Sequence, residues 1–131
     1  MPTESLDVVR QGYEAFARSD FGWMMANCTA DVVIVQPPER PGAKTYRGRT
    51  EFRAAFTEWP SQWDEFDLEL VDLVELNDHQ ILGTCRQHMR RGELEVDEDR
   101  FDLFTLRDGK VARLELFQSL VAARAAADDA K

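Results

Sequence analysis

The chain contains the stretch DRFDLFTLRDGKVARLELFQSL, residues 99–120, which has the pattern of two β-strands joined by a turn. Apolar and polar side chains alternate on both sides of Asp108-Gly109, and an Asp-Gly dipeptide in this setting is a strong signal for a hairpin. One of the strands carries an aspartate, Asp102, between apolar neighbours. Such a carboxylate either faces solvent or is an acid inside a pocket, and the two cases imply different functions.

The second half of the chain predicts four consecutive strands, of which this hairpin is the end. Their predicted bounds are 66–76, 80–90, 94–106 and 110–118. Turn residues at Asn77-Asp78 and Arg91-Gly92 separate the first three strands. Strands that follow one another through tight turns form an antiparallel meander.

Three helices are predicted in the first half. Apolar residues recur every three or four positions over 5–19, which predicts an amphipathic helix. Asp20 is placed to cap a short second helix that ends near Thr29. A third helix is predicted over 50–59, because Pro60 would clash with its continuation.

A strand and a tail complete the pattern. The β-branched run 31–36 predicts a strand that stops at Pro37-Pro38. The alanine-rich segment 119–131 favours a helix with few large apolar side chains, which we expect to fray or to pack on a partner chain. A chain of this length has room for one core, so residues 1–131 are expected to form a single domain.

This order of elements predicts an α+β fold. The three helices of the N-terminal half pack on one face of a strongly curved, antiparallel or mixed sheet, and a sheet closed in this way leaves a cone-shaped interior. Hydrophobic residues make up 44% of the chain, enough for a core and for the lining of a cavity.

Composition excludes several classes of partner. The formal net charge of −9 opposes strong binding to nucleic acid or to an anionic membrane, since both require Lys and Arg to neutralise phosphate. The sequence begins without a basic, apolar export signal and has no stretch long enough to span a bilayer, so we expect a cytoplasmic protein. Cys28 and Cys85 lack the spacing of a zinc site or redox pair and are expected to be free structural thiols.

No motif for a cofactor or metal is recognised. A glycine-rich phosphate loop, a nucleotide fingerprint and a serine-nucleophile elbow are all absent from the sequence. The acidic segment 93–99 lacks the histidine, cysteine or glycine spacing of a metal site, and a solvated edge strand accounts for it better. We therefore expect neither a metal nor an organic cofactor.

Four segments give the sequence a family resemblance. They are YEAFARSD at 13–20, TADVVIVQPP at 29–38, TYRGRTEF at 45–52 and FTLRDGKVARLELF at 104–117. With these, nearly the whole chain resembles the SnoaL-like domains of the nuclear-transport-factor-2-like superfamily, which also holds ketosteroid isomerases and limonene epoxide hydrolases. The resemblance implies the cone-shaped fold, a small hydrophobic ligand and a homodimer formed through the outer face of the sheet.

The resemblance agrees with the enzymes of this superfamily at one position. The base of a ketosteroid isomerase falls on Gln36, which cannot take a proton from carbon, and its tyrosine falls on Gly12, next to Tyr13. The acid of the isomerase falls on Asp102, whereas that of an epoxide hydrolase falls on Leu116. Polyketide cyclases of the SnoaL type use an aspartate or histidine on the inner sheet face, for which this chain offers Asp102 and His88.

Strand alternation predicts which side chains face the interior. If Asp102 points inward, its strand also directs Arg100 and Phe104 there. Anchoring the preceding turn at Arg91-Gly92 places Thr84, Arg86 and His88 inside, whereas a shift of one residue would replace them by Cys85, Gln87 and Met89. The last strand would contribute Leu114, Leu116 and Gln118.

The predicted site combines two candidate catalytic residues with a largely apolar wall. Asp102 and His88 are the candidates for acid–base work, and Gln36 and Arg86 are candidates for polar contacts with a ligand. The predicted lining residues are Tyr13, Phe16, Tyr46, Phe56, Trp59, Trp63, Phe104, Leu114 and Leu116.

The roles of the two candidates stay open at this point. In a dry cavity Asp102 would have a raised pKa and would donate a hydrogen bond, whereas pairing with Arg86, Arg100 or Arg113 would make it an anion. His88 would act as a base near neutral pH or lie exposed near a basic turn.

Two functions remain at this level. The first is a small-molecule-binding protein that performs acid–base isomerisation, cyclisation or dehydration on a hydrophobic carbonyl or hydroxyl compound without a cofactor. The second is a non-catalytic module that binds a ligand or dimerises. Its partner surface would be the outward side chains Phe101, Leu103, Glu115 and Phe117.

Overall fold

The computed structural model describes residues 2–129. Its elements in chain order are α1 (Pro2–Ala17), α2 (Phe21–Ala26), β1 (Cys28–Val35), β2 (Thr45–Arg47), α3 (Gly48–Ser61), β3 (Glu65–Asn77), β4 (Gln80–Arg91), β5 (Leu94–Arg107), β6 (Lys110–Phe117) and α4 (Leu120–Asp129). None of these helices is long and apolar enough to cross a membrane.

One mixed sheet contains six strands in the order β2-β1-β6-β5-β4-β3. The antiparallel meander from β3 to β6 confirms the predicted order of strands. Strand β1 pairs in parallel with β6, where Val33 lies opposite Arg113, and it pairs antiparallel with the short strand β2. The sequence analysis did not predict β2, because a strand of three residues has too little alternation to be recognised.

Helices α1, α2 and α3 cover one face of this sheet, called the inner face below. Val9 of α1 and Phe52 and Ala55 of α3 are buried there against Ile34 of β1 and Leu114 of β6. Burial of this apolar surface is the main force that holds the helices on the sheet.

The caps of α2 and α3 follow from their sequences. Asp20 caps α2 as predicted, since its carboxylate accepts a hydrogen bond from the backbone N–H of Trp23 at 3.1 Å. Helix α3 runs past Trp59 to Ser61 and includes Pro60, so it ends two residues later than predicted. The backbone N–H of Trp63 bonds the Pro60 carbonyl at 3.1 Å, so the final turn closes through i to i+3 bonds after the proline.

Helix α4 packs on the opposite, outer face of the sheet. Ala123 and Ala127 are buried against Leu82 of β4 and Leu103 of β5. The three N-terminal helices share one face as predicted, whereas the expectation that the tail frays or packs on a partner chain is wrong for residues 120–129. Residues 130 and 131 of the predicted tail lie outside the described residues. Small alanine side chains let the helix lie close to the sheet, so it needs few large apolar residues.

The register of β4 differs from the predicted one. The turn consists of Gly92-Glu93, so that Arg91 pairs with Leu94 and Asp102 lies opposite Gly83. A two-residue connection places odd-numbered residues of β4 on the face of Asp102. The inner set is consequently Cys85, Gln87 and Met89, all of them buried, and the predicted set Thr84, Arg86 and His88 is wrong.

Candidate functional site

A cavity of about 80 Å³ lies between helices α1–α3 and the inner face of the sheet. Most of its wall is apolar. The apolar lining residues are Val8, Val9, Phe16, Trp23, Met24, Ile34, Phe52, Ala55, Phe56, Trp59, Pro60, Phe66, Leu68, Phe104, Val111, Leu114 and Leu116. Among the described residues, the charged side chains of the wall are Arg40, Arg100 and Asp102.

Asp102 is the centre of a buried polar cluster. Its side chain is 1% exposed and forms a bidentate ion pair with Arg100, with Nε to Oδ1 and Nη2 to Oδ2 both at 2.8 Å. The hydroxyl of Tyr13 donates to Oδ2 at 2.7 Å, and the thiol of Cys85 lies 3.6 Å from the same oxygen. Residues 100 and 102 meet because positions two apart on a strand share a face.

Tyr13 reaches this cluster because the strand beside Asp102 has a glycine at the point of contact. A Cβ atom built on Gly83 would collide with the Tyr13 hydroxyl. Gly83 lies directly opposite Asp102 in the β4–β5 pairing. The missing side chain thus makes the space through which a residue of α1 bonds a carboxylate of β5.

The cluster keeps its donors protonated. Burial, and then the negative charge of Asp102, raise the pKa of Tyr13 well above its usual value. Burial alone would lower the pKa of Arg100, but the charge and hydrogen bonds of Asp102 outweigh it and raise that pKa. Burial and Asp102 raise the pKa of Cys85 to about 12. These groups all point donors at Asp102, an arrangement that fits an ionised carboxylate.

The geometry therefore corresponds to the ion-paired alternative for Asp102. Its partner is Arg100, whereas Arg86 and Arg113 pair with other carboxylates. The sequence placed Arg100 on the inner face but did not include it among the site residues.

The loop between β1 and β2 forms one end of the cavity. Oε1 of Gln36 accepts a hydrogen bond from the backbone N–H of Lys44 at 3.2 Å and so ties the two ends of the loop together. Within the loop, the backbone N–H of Arg40 bonds the Pro37 carbonyl at 3.0 Å. This conformation turns the Arg40 side chain inward, with the guanidinium carbon 3.9 Å from the centre of the Trp59 ring.

Arg40 is buried without a hydrogen-bond partner. The residue is 6% exposed, and its Nε, Nη1 and Nη2 atoms form no hydrogen bond with any group in the part of the chain that the structure describes. Burial, and then the positive charge of Arg100, lower its pKa from the ordinary value. Arginine nevertheless keeps its charge in proteins, so a cation faces this end of the cavity.

Nine of the predicted site residues line the cavity. They are Tyr13, Phe16, Gln36, Phe56, Trp59, Asp102, Phe104, Leu114 and Leu116. The other four predicted residues, Tyr46, Trp63, Arg86 and His88, lie outside its wall.

His88 and Arg86 lie on the outer face of β4, and their predicted position in the site is wrong. His88 Nδ1 is 2.7 Å from Asp97 Oδ1, and Arg86 Nε is 3.4 Å from Asp99 Oδ1. Both pairs bridge β4 and β5 in solvent. The hydrogen bond to Asp97 raises the pKa of His88.

Tyr46 and Trp63 lie outside the wall of the cavity, so their predicted place in its lining is wrong. The hydroxyl of Tyr46 donates to Glu58 Oε1 at 2.9 Å, and its ring belongs to the core between β2 and α3. Trp63 packs edge to face on Trp59 with ring centres 5.7 Å apart. The side of Trp59 that contacts Arg40 is thereby fixed.

Comparison with known proteins agrees with the fold. The family model of the SnoaL-like domain matches residues 9–114. The chain belongs to the SnoaL-like domain family. No curated protein was found to match it.

Solved structures share the SnoaL-like fold at low sequence identity. Bal32a, from a soil-derived mobile gene cassette, has a TM-score of 0.82 at 20% identity, covering 93% of this chain and 94% of its own. A proposed SnoaL-like polyketide cyclase from Jannaschia sp. CCS1 has a TM-score of 0.76 at 14% identity, with coverage of 95% and 91%.

An epoxide hydrolase of the LEH-like type from M. tuberculosis has a TM-score of 0.68 at 17% identity, covering 94% of this chain and 84% of its own. At these identities the likeness shows the fold alone, because one fold carries many activities.

Two further chemical features of this SnoaL-like domain complete the site. Cys28 and Cys85 are buried and free, which agrees with the predicted free structural thiols. Within residues 2–129, no group of three or more His, Cys, Asp or Glu side chains converges as metal ligands would.

Several residues of the wall were not predicted from the sequence. Arg40 gave no signal, because a loop of proline, glycine and charged residues has no period from which an inward side chain can be read. Trp23, Phe52, Phe66 and Leu68 carried a usable signal, since each lies on the apolar face of a correctly predicted element.

Proposed function

We propose that this SnoaL-like domain binds a small, mainly apolar organic molecule whose carbonyl or hydroxyl oxygen lies beside Arg100, and performs cofactor-independent acid–base chemistry on it. The observation that carries the proposal is the buried Tyr13–Asp102–Arg100 cluster, which opens onto an apolar cavity. Apolar walls with a few convergent polar groups are the usual form of a small-molecule site.

Arg100 supplies the electrostatic part of this chemistry. Two of its nitrogens bond Asp102, while Nη1 donates to no residue in the described range 2–129. A guanidinium fixed in this way polarises a carbonyl and stabilises the anionic oxygen that forms during isomerisation, cyclisation or dehydration. It costs no reorganisation, because Asp102 already holds it in place.

Asp102 supplies the proton-transfer part of the proposal. It is the one carboxylate among the described residues that line the cavity, and Gln36 cannot exchange a proton. Substrate binding would have to replace one of the donors around Asp102 before the carboxylate could take a proton from carbon. Tyr13 would then hold the resulting acid in position.

A non-catalytic binding module is the second candidate. The four donor contacts from Arg100, Tyr13 and Cys85 occupy the lone pairs of Asp102, which favours a structural role for the carboxylate. In that case the cavity would bind the same class of molecule without converting it.

Thermal shift against a compound panel tests the proposal. The panel contains steroids, aromatic polyketide-like compounds, terpene epoxides and small aromatic or fatty acids, with Asp102→Asn and the surface control Glu115→Gln run beside the wild type. We expect a compound that raises the Tm of the wild type and of Glu115→Gln and raises that of Asp102→Asn less.

Turnover of each compound that binds, followed by NMR, then separates the two candidates. Conversion that Asp102→Asn abolishes supports the enzyme, whereas binding without conversion supports the module. If a compound stabilises Asp102→Asn as much as the wild type, the Tyr13–Asp102–Arg100 cluster is not part of the binding site.

We also propose that the protein acts in the cytoplasm as a homodimer. Its two free cysteines suit a reducing compartment, and α4 leaves Phe101 and Phe117 of the outer face half-buried, available to a second copy.

A further inference from the structure

We propose that the molecule bound in the cavity is a carboxylic acid, and that its carboxylate pairs with Arg40 at the end of the cavity formed by the β1–β2 loop. This inference rests on the proposed function, because it names the chemical class of the ligand at the same site. It identifies Arg40, which no sequence signal indicated, as the residue that selects the ligand.

The first argument is the state of the Arg40 side chain. The residue is 6% exposed, and its three side-chain nitrogens have no hydrogen-bond partner within residues 2–129. The guanidinium carbon lies 3.9 Å from the centre of the Trp59 ring, a cation–π contact that leaves the N–H donors without a hydrogen-bond acceptor. A buried cation without a partner is costly, and a protein retains one where an anion is bound.

The second argument is the balance of charge in the cavity wall. Arg40 and Arg100 carry two positive charges, and Asp102 carries the one negative charge among the described lining residues. Asp102 is engaged by Arg100, so the excess charge is that of Arg40. One carboxylate balances it, whereas a dianionic phosphate would exceed it.

A second acid near Arg40, Glu98, already accepts a hydrogen bond. Glu98 acts on Arg40 through its charge, but its Oε1 accepts a hydrogen bond from Gln87 Nε2 at 2.6 Å. No ion pair forms between Glu98 and Arg40. If Arg40 turned to Glu98 instead, acids and amides of the same shape would bind equally well.

The third argument is the shape of the site. The guanidinium lies at one end of a cavity of about 80 Å³. Apart from the Arg100–Asp102 pair and a few uncharged polar groups, the rest of the wall is aromatic and aliphatic. This arrangement suits a compact apolar body with one charged end. A planar carboxylate also matches the fork of a guanidinium through two parallel hydrogen bonds.

Matched pairs of acids and amides test the proposal by isothermal titration calorimetry. The probes are benzoate and phenylacetate, their neutral counterparts benzamide and phenylacetamide, and phenyl phosphate. We expect each acid to bind the wild type roughly tenfold or more tightly than its amide, since the amide keeps the shape but loses the charge-assisted bonds. Phenyl phosphate should bind more weakly than benzoate.

Variants assign that preference to Arg40. Arg40→Met keeps the apolar stem and should reduce the acid-to-amide ratio to about one, because the acid loses a charge-assisted pair and the amide at most a neutral hydrogen bond. Arg40→Lys keeps the charge and should retain part of the ratio. Arg86→Met removes an exposed arginine on the outer face and should leave all affinities as in the wild type.

The outcomes distinguish this inference from the proposed function. If amides and acids bind the wild type equally, the inference is overturned and binding in the cavity stands. If the acid preference survives in Arg40→Met, another residue selects the acid. If none of the five probes binds, both the inference and the proposed binding function are overturned for aromatic compounds of this size.

Discussion

At the scale of residues, two ion pairs with the same spacing along a strand show how burial changes the contribution of an ion pair to stability. Arg100 and Asp102 lie two positions apart on β5, and Arg113 and Glu115 lie two positions apart on the neighbouring β6. The side chains of the first pair are 11% and 1% exposed, and those of the second 46% and 17%. Removing one partner leaves a buried, unpaired charge only in the first pair.

Asp102→Asn should therefore lower the free energy of unfolding by about 3–5 kcal/mol, the usual cost of breaking a buried pair. Glu115→Gln is the matched control and should change it by less than about 1 kcal/mol. Urea denaturation of both variants measures the difference. Equal effects would show that Asp102 is not held as a buried carboxylate.

The ionisation of His88 makes the stability of the folded state depend on pH, and the sign of that dependence follows from its shifted pKa. The hydrogen bond to Asp97 raises its pKa above the ordinary 6.5, so the folded state binds the His88 proton more tightly than the unfolded state does. The resulting stability is fully present below pH 6.5 and is lost as the pH rises through the folded-state pKa.

Urea midpoints measured from pH 5 to pH 9 should therefore show a loss of stability above the ordinary histidine range, and His88→Gln should remove that step. NMR titration of the His88 ring gives the folded-state pKa directly. A pKa below 6.5 would contradict the Asp97 pair.

At the scale of elements, the periodicity of apolar residues predicted the features that depend on residues close in sequence. The order of helices and strands, the Asp20 cap and the inward positions of Leu114 and Leu116 agree with the structure, because each depends on side chains close in sequence. The faces of β4 were assigned wrongly, because they depend on whether the turn has two residues or three. Gly92-Glu93 and neighbouring residues suit either length.

The candidate site was predictable to the extent that regular elements form it. Asp102, Tyr13 and the aromatic wall lie on helices and strands, where spacing indicates the buried side. Arg40 lies in a loop, and its inward direction results from hydrogen bonds between Gln36 and Lys44 that no repeat in the sequence encodes. The partner of Asp102 could not be read from the sequence either, since Arg86, Arg100 and Arg113 were all candidates and only the structure shows which one is adjacent.

Gly83→Ala tests the contact between α1 and the sheet. The added methyl group would collide with the Tyr13 hydroxyl, so α1 has to shift, and we expect a loss of about 1–3 kcal/mol of stability, as for overpacked cores. Gly22→Ala is the control, because its Cβ would lie 3.7 Å from Asp20, an ordinary contact.

Combining Gly83→Ala with Tyr13→Phe should be less destabilising than the sum of the single changes. Removing the hydroxyl removes the closest clash, so the two variants are coupled. Thermal or urea unfolding of the four proteins in this cycle measures the coupling. Additive effects would mean that Gly83 does not serve the Tyr13–Asp102 contact.

At the scale of the whole molecule, the apolar side chains that α4 leaves exposed bear on the proposed homodimer. Val121 is 79% exposed and Leu120 is 40% exposed, beside the half-buried Phe101 and Phe117. A second copy seated on this outer face would bury them.

Val121→Glu should therefore weaken the dimer, raising its dissociation constant by roughly tenfold or more through a charge buried in an apolar contact. Leu94→Glu, 51% exposed at the start of β5 on the other face, should leave it unchanged. Light scattering over a range of concentrations reports both. A wild-type chain that remains monomeric at high concentration would contradict the homodimer.

The parallel pairing of β1 with β6 has a consequence for the order of synthesis. On the ribosome, α1–α3 and β1 emerge while β6, the strand that seats β1 in the sheet, is still untranslated. The meander from β3 to β5 is built from neighbouring segments and can pair as it appears, but the wall of the cavity is incomplete until Arg113 and Leu114 have left the exit tunnel. Part of the apolar surface of the helices stays uncovered during this interval, and exposed apolar surface is what makes a nascent chain prone to aggregate.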